Sequence, residues 1–185
     1  MNFLAHLYLS GNDKDVMFGN FIGDAVKNND FELFPTKIKE GILLHRQIDA
    51  FADNNKVFKQ CCNVFRPIYK KYSCAVTDIV FDYFLASNWQ KFSDVDFRSF
   101  VDFCYNILRE YYSLIPQKYK PFVENFIKND RLASYKHMEQ IKIVLEKMSI
   151  YRGLPDVSEK FLQYFYNNEK FLLENFFVFF EQIKK

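Results

Sequence analysis

Between Gly41 and Asp53 the chain writes GILLHRQIDAFAD. At about 100° per residue, a helix here sets His45, Asp49 and Asp53 at spacings of four along one stripe. Ile38, Ile42, Ile48 and Ala52 project into the same arc, so an imidazole and two carboxylates point where a helix normally puts apolar side chains. Buried ionisable groups are costly unless paired or bound to a metal, and a divalent cation is the leading candidate to satisfy them. A second segment, Ala75–Ala86 (AVTDIVFDYFLA), repeats the anomaly. Asp78 and Asp82 lie one turn apart, while Val76, Ile79, Val80, Phe81, Phe84 and Leu85 cover nearly every other direction. A helix that is apolar all round is a buried one, where two such acids repel unless a cation intervenes. Asp24 in FGNFIGDAV and His6 in NFLAHLYL are a third acid and a second imidazole set in apolar stretches.

Each of these residues has a plainer alternative. A lone histidine on an apolar face is often a core residue hydrogen-bonded to a carbonyl. Asp24 could cap a helix, and Asp49 and Asp53 could pair with Lys or Arg of a neighbour. The number of such residues in the first half of the chain favours a shared explanation, because the plain one has to be invoked separately for each.

These residues must be positioned by helices. Helical patterns run through 14–28, 36–53, 54–72, 75–90, 94–114, 118–130, 134–150 and 156–183, with turns signalled near Gly11, Asn28-Asn29, Ser73, Ser93-Asp94, Pro116 and Gly153-Leu154-Pro155. No stretch sustains the alternation of a strand with hairpin signals. The expectation is an all-α fold, a single-domain irregular helical bundle over 1–185. Its Phe-rich C-terminal helix either packs on the core or forms a dimer contact. With 185 residues, five Gly and five Pro, the chain has room for an ample core and shows no linker, repeat or low-complexity segment. Most of the 23 Phe are expected in that core.

Composition also limits partners. A net charge of +2 argues against nucleic-acid binding as the main function. The longest apolar run near the C-terminus, Phe176–Phe180, is far short of a membrane span. Cys61, Cys62, Cys74 and Cys104 show no CxxC spacing, and MNFLAHLYLS lacks the basic start and the length of a secretory signal, so a reduced, cytoplasmic protein is expected. Basic residues, among them Lys37, Lys39, Arg46, Lys56, Lys59, Arg66, Lys70 and Lys71, crowd the region around the His45 helix. They form either a solvated face or a surface for an acidic partner.

The blocks NFLAH at Asn2–His6, GNFIGD at Gly19–Asp24, GILLHRQID at Gly41–Asp49, then Asp53, and DIVFDYFLA with Trp89 at Asp78–Trp89 occur in the order and spacing found in bacterial acyl carrier protein phosphodiesterases. The chain resembles that family over most of its length. The resemblance implies an all-helical fold related to the HD-type metal phosphohydrolases. It also implies a reaction in which holo-acyl carrier protein loses 4′-phosphopantetheine to give the apo form, with a divalent metal, commonly manganese. Two positions depart from the family pattern. Many relatives carry a His shortly after the acid equivalent to Asp53 and another directly after the acid equivalent to Asp82, where this chain has Asn54-Asn55 and Tyr83.

The chemistry suits the residues. A cation neutralises a phosphodiester's anionic oxygens and acidifies bound water, and carboxylates with imidazoles favour Mn²⁺, Mg²⁺ or Fe²⁺ over a thiolate-type zinc site. His45, Asp49 and Asp82 are the expected metal ligands, with His6 a fourth. Asp24 and Asp78 are candidates for holding the nucleophilic water or orienting an imidazole. Arg46 could clamp the phosphate, and Lys56 and Lys59 could meet an acidic carrier protein. An HD-type hydrolase acting on another phosphodiester or nucleotide, and a weakened relative that only binds carrier protein, are the alternative functions.

Overall fold

The computed structural model describes residues 1–27 and 29–184. Among the described residues it is helical with no strand, as expected: α1 (Phe3–Leu9), α2 (Lys14–Ile22), α3 (Thr36–Asn54), α4 (Lys56–Tyr69), α5 (Ser73–Ser87), α6 (Phe97–Glu110), α7 (Lys120–Lys128), α8 (Arg131–Ser134), α9 (Met138–Arg152) and α10 (Ser158–Ile183). Short 3₁₀ turns join several of them. Local chemistry sets many of the boundaries. The Asp13 carboxylate accepts from the Asp15 and Val16 amides at the start of α2. Asn55 caps α4 by accepting from Phe58 N, and Asp96 caps α6 through Ser99 N, in each case satisfying a donor that the first helical turn leaves open. Gly153, at φ +69°, closes α9 in the left-handed conformation.

Some elements differ from the sequence reading, the four-residue α8 among them. The seven-residue α1 has no clear helical period to betray it, because its central residues Leu4, Ala5, His6 and Leu7 are all buried. The helix expected over 14–28 stops at Ile22 and tightens into a 3₁₀ turn at Gly23–Ala25. Of the turn expected at Asn28-Asn29, Asn28 lies outside the described residues.

The chain forms two compact units, each assembled from separated stretches. The first holds Met1–Asn2, Ala50–Ser87 and Ser134–Lys185; the second holds Phe3–Asp49 and Asn88–Ala133. In the first unit α4, α5, α9 and α10 pack together. α10 belongs to its core, burying Phe161, Phe165, Leu172, Phe176, Phe179 and Phe180. Rings of Phe58, Phe81, Phe176 and Phe179 meet at centroid distances of 5.3 to 5.5 Å, within the range of favourable aromatic pairs. α4 and α5 bring the Cα atoms of Cys62 and Cys74 to 4.7 Å, and the two are joined as a disulfide. That corrects the expectation of four reduced cysteines, since a pairing made by tertiary approach leaves no mark in sequence spacing. Cys61 and Cys104 are free and buried, and burial pushes the Cys61 thiol up to about 12.

In the second unit α2 packs against α1 and α6, and Phe3, Phe21 and Phe126 form an aromatic cluster with centroids 5.0 to 5.3 Å apart. α2 and α3 cross with backbone nearly touching backbone. A Cβ on Gly19 would overlap the Ile38 carbonyl, and one on Gly41 would overlap the Val16 carbonyl and approach Asn20 N to 2.8 Å. Only residues without a side chain permit this approach, which sets the distance between Asn20 on α2 and His45 on α3. Among the described residues, no helix is long and apolar enough to cross a membrane.

Candidate metal centre

Three elements of the second unit supply the site: α1 carries His6, α2 with its 3₁₀ extension carries Asn20 and Asp24, and α3 carries His45 and Asp49. The two imidazoles are buried and stack, with ring centroids 4.0 Å apart and planes within 12°. Each turns its Nδ1 toward Asn20. His6 Nδ1 lies 2.8 Å from Asn20 Oδ1 and His45 Nδ1 lies 2.7 Å from the Asn20 carbonyl oxygen. Both Nε2 atoms then face Asp49, His6 Nε2 at 3.2 Å from Oδ1 and His45 Nε2 at 3.2 Å from Oδ2. Asp24 Oδ1 lies 3.2 Å from the same His45 nitrogen. Gly23 makes room for this ring, because a Cβ there would sit 2.7 Å from His45 Nδ1 and closer still to its Cβ and Cγ.

The electrostatics follow from that arrangement. Burial lowers the pKa of His45, but its hydrogen bonds with Asp24 and Asp49 outweigh burial and hold it at about 9. His6 moves the other way, lowered chiefly by burial and further by the neighbouring His45 charge. Burial alone would raise Asp49; its hydrogen bonds with the two imidazoles instead hold it well below the carboxylate range. The hydrogen bond with His45 likewise lowers Asp24. Two imidazole nitrogens and a carboxylate thus converge on a point where one positive charge is wanted. A proton on His45 meets that demand, and so does a metal ion. His6, His45 and Asp49 can each offer a ligand atom, all within 4.8 Å of one another, which fits a divalent ion that takes nitrogen and oxygen donors.

The sequence-predicted residues separate into two groups. His6, Asp24, His45 and Asp49 come together in the second unit. Asp24 is the accessible member, its side chain 67% exposed, with Asp49 39% exposed. Arg46 follows His45 on α3, its guanidinium 3.3 Å from the Val26 carbonyl and 4.9 Å from the centre of the Phe31 ring. Asp78 and Asp82 belong to α5 of the first unit and are not members of the metal-competent group. Asp82 is fully buried, and Asp78 lies 3.3 Å from the Met1 α-ammonium, a cation supplied by the chain itself. Asp53 is exposed, because each step of four residues rotates about 40° from the starting direction and two steps carry it out of the buried arc.

The basic residues also divide. Lys37 pairs with Glu40 and Lys39 with Glu32, whereas Lys56 and Lys59 are exposed on α4. Asn55 caps α4 and donates to Gln182 Oε1 at 2.7 Å. Tyr83 is half-buried, with its ring edge-on to Phe165. Asn20 was not foreseen, although a lone amide inside MFGNFI is a polar residue in an apolar run and such a residue asks for partners.

Comparison with known proteins bears on the chain as a whole. The family model described as "Acyl carrier protein phosphodiesterase" matches residues 1–183. Curated relatives carrying the same description include one from Enterobacter sp. (strain 638), 29% identical over 150 residues, which span 80% of this chain and 78% of the relative. One from Escherichia coli (strain K12 / DH10B) is 31% identical over 153 residues, with the same 80% and 78% coverage. No solved structure matches the chain.

Proposed function

Because the chain belongs to the acyl carrier protein phosphodiesterase family, we propose that it is a metal-dependent phosphodiesterase. Its substrate is holo-acyl carrier protein, whose 4′-phosphopantetheine-serine phosphodiester it hydrolyses to apo-carrier protein and 4′-phosphopantetheine. The observation that carries the metal dependence is the convergence of His6 Nε2, His45 Nε2 and Asp49 within 3.2 Å contacts. These three residues hold the ion, with Mn²⁺ the expected occupant and Mg²⁺ or Fe²⁺ the other members of the class that such donors accept. When bound, a divalent cation supplies positive charge against the phosphodiester's anionic oxygens and acidifies water.

The chain's own residues do the rest. Asp24, exposed at the edge of the cluster and held as a carboxylate, accepts a hydrogen bond from the attacking water and orients it. Arg46, braced by the Val26 carbonyl and the Phe31 ring, holds a phosphate oxygen with a charge-assisted hydrogen bond. The water oxygen forms the new bond to phosphorus, the bond from phosphorus to the serine oxygen breaks, and a proton from water ends on serine. No step is assigned to Asp78 or Asp82. Lys56 and Lys59 on α4 face solvent and meet an acidic carrier protein through complementary charge. The proposal includes a cytoplasmic location.

Incubating the protein with holo-acyl carrier protein and Mn²⁺, and following the carrier by mass spectrometry, tests the reaction. Loss of the phosphopantetheine mass with release of apo-carrier protein is expected. An intact holo-carrier in the presence of demonstrably bound metal would replace hydrolysis with carrier binding alone.

A further inference from the structure

We infer that Asn20 is the positioning residue of the metal centre: it ties one face of both imidazoles and thereby turns both Nε2 atoms toward Asp49. This rests on the proposal that His6, His45 and Asp49 hold a divalent ion.

Each partner of Asn20 can donate or accept in only one way. Asn20 is fully buried, so its amide must be satisfied by protein. Its Nδ2 donates to the His6 carbonyl at 2.9 Å and to Ser10 Oγ at 2.8 Å. Ser10 Oγ in turn donates to that same carbonyl at 2.8 Å, so its hydrogen is committed and its lone pair faces Asn20. A carbonyl oxygen only accepts, which fixes Nδ2 on this side and leaves Oδ1 facing His6 Nδ1 at 2.8 Å. An amide oxygen also only accepts, so His6 Nδ1 must carry the hydrogen. The backbone of Asn20 imposes the same state on the other ring, because its carbonyl oxygen, 2.7 Å from His45 Nδ1, can be reached only by an N–H.

With hydrogen on both Nδ1 atoms, the electron pair available for a metal is on Nε2 in each ring, the nitrogen that faces Asp49. One residue therefore sets the tautomer and the rotation of both imidazoles, His6 through its side chain and His45 through its backbone. The division makes a sharp prediction: truncating the side chain releases His6 and leaves the tie on His45 in place.

Asn20→Ala, His6→Ala and the double variant, with wild type, are compared for Mn²⁺ affinity by isothermal titration. Their histidine Nδ1 protonation is read by proton–nitrogen correlation NMR on isotope-labelled, metal-free protein. Asn20→Ala is expected to weaken Mn²⁺ binding by about ten- to a hundred-fold, the usual cost of losing a partner that orients a ligand. It is expected to match His6→Ala, and the double variant to be no weaker than His6→Ala, since the two residues act as one unit. The NMR should show His6 and His45 protonated at Nδ1 in wild type, with only His6 changed in Asn20→Ala. Wild-type affinity in Asn20→Ala, losses that add in the double variant, or a wild-type His6 without hydrogen on Nδ1 would each overturn the inference. That last measurement stands on wild type alone, so it decides even if the variant does not fold. If wild type binds no Mn²⁺, the metal reading fails and the Asn20 tether is judged by the NMR result.

Discussion

His6 and His45 lie face to face, ring centroids 4.0 Å apart and 12° from parallel, and this stack governs how the centre is charged. Two imidazolium rings at that distance would repel strongly, so at most one of the two rings is cationic. Burial and the His45 charge lower His6, while Asp24 and Asp49 favour the charge on His45. The one additional proton that makes His45 cationic sits among two imidazoles and a carboxylate, and a metal ion can replace it.

Stability and metal binding should therefore respond to pH in opposite directions. His45 is held at about 9, above its ordinary 6.5, so its stabilising effect is complete below pH 6.5 and is lost as the pH rises through 9. The metal-free melting temperature is expected to fall over that interval. The rise in melting temperature produced by Mn²⁺ is expected to grow, because the competing proton has left. Asp24 and Asp49 are lowered, so their contribution is present above the ordinary carboxylate range and is lost in acid. Thermal scans across pH with and without Mn²⁺ check both trends, and a Mn²⁺ effect independent of pH would contradict them.

Gly23→Ala places a methyl group against the His45 ring. The ring must move, and overpacking of this kind costs about 1–3 kcal/mol. The variant is expected to melt lower and to bind Mn²⁺ about ten- to a hundred-fold more weakly. Normal metal affinity would show that the centre tolerates a displaced His45.

Lys56 and Lys59 carry the partner side of the proposal. Reversing both to Glu is expected to raise KM for holo-carrier protein more than it lowers kcat, with the wild-type difference shrinking as salt rises and exposed charges are screened beyond about 10 Å at 0.1 M. Unchanged kinetics would assign the two lysines to a solvated face.

The family resemblance implies histidine at or near the positions of Asn55 and Tyr83. Asn55 caps α4 and Tyr83 packs on Phe165, so both have structural duties. Asn55→His should lower stability by about 1 kcal/mol through the weakened cap, and either substitution should change turnover only modestly. Activity that appears only in the histidine variants would mean that wild type lacks a needed ligand.

Much of this site was legible in the sequence, and the remainder has physical reasons. The spacing of four between His45 and Asp49 on an otherwise apolar helix face announced their convergence. His6 could be linked to them only by its apolar setting and the family resemblance, since α1 has no amphipathic period. Asp24 was read as an acid in an apolar stretch, yet the helix ends at Ile22 and the following turn exposes its side chain. Asp78 and Asp82 lie on α5 of the first unit. Asp78 lies 3.3 Å from the Met1 nitrogen, an approach from far along the chain that no spacing rule could reveal. Asn20 and Gly23 act through contacts with residues more than ten positions away, and such contacts leave only a polar residue or a glycine as their trace.

Under the proposed function, His6, His45 and Asp49 together hold a divalent ion. Electron spin echo spectroscopy of Mn²⁺ bound to protein with isotope-labelled histidine reads the nitrogens coupled to the ion directly. Two imidazole nitrogens are predicted in wild type, one in His6→Ala and one in His45→Ala, with binding weakened in Asp49→Asn. Mn²⁺ that shows no histidine coupling in wild type, or the same coupling in all three variants, would contradict it.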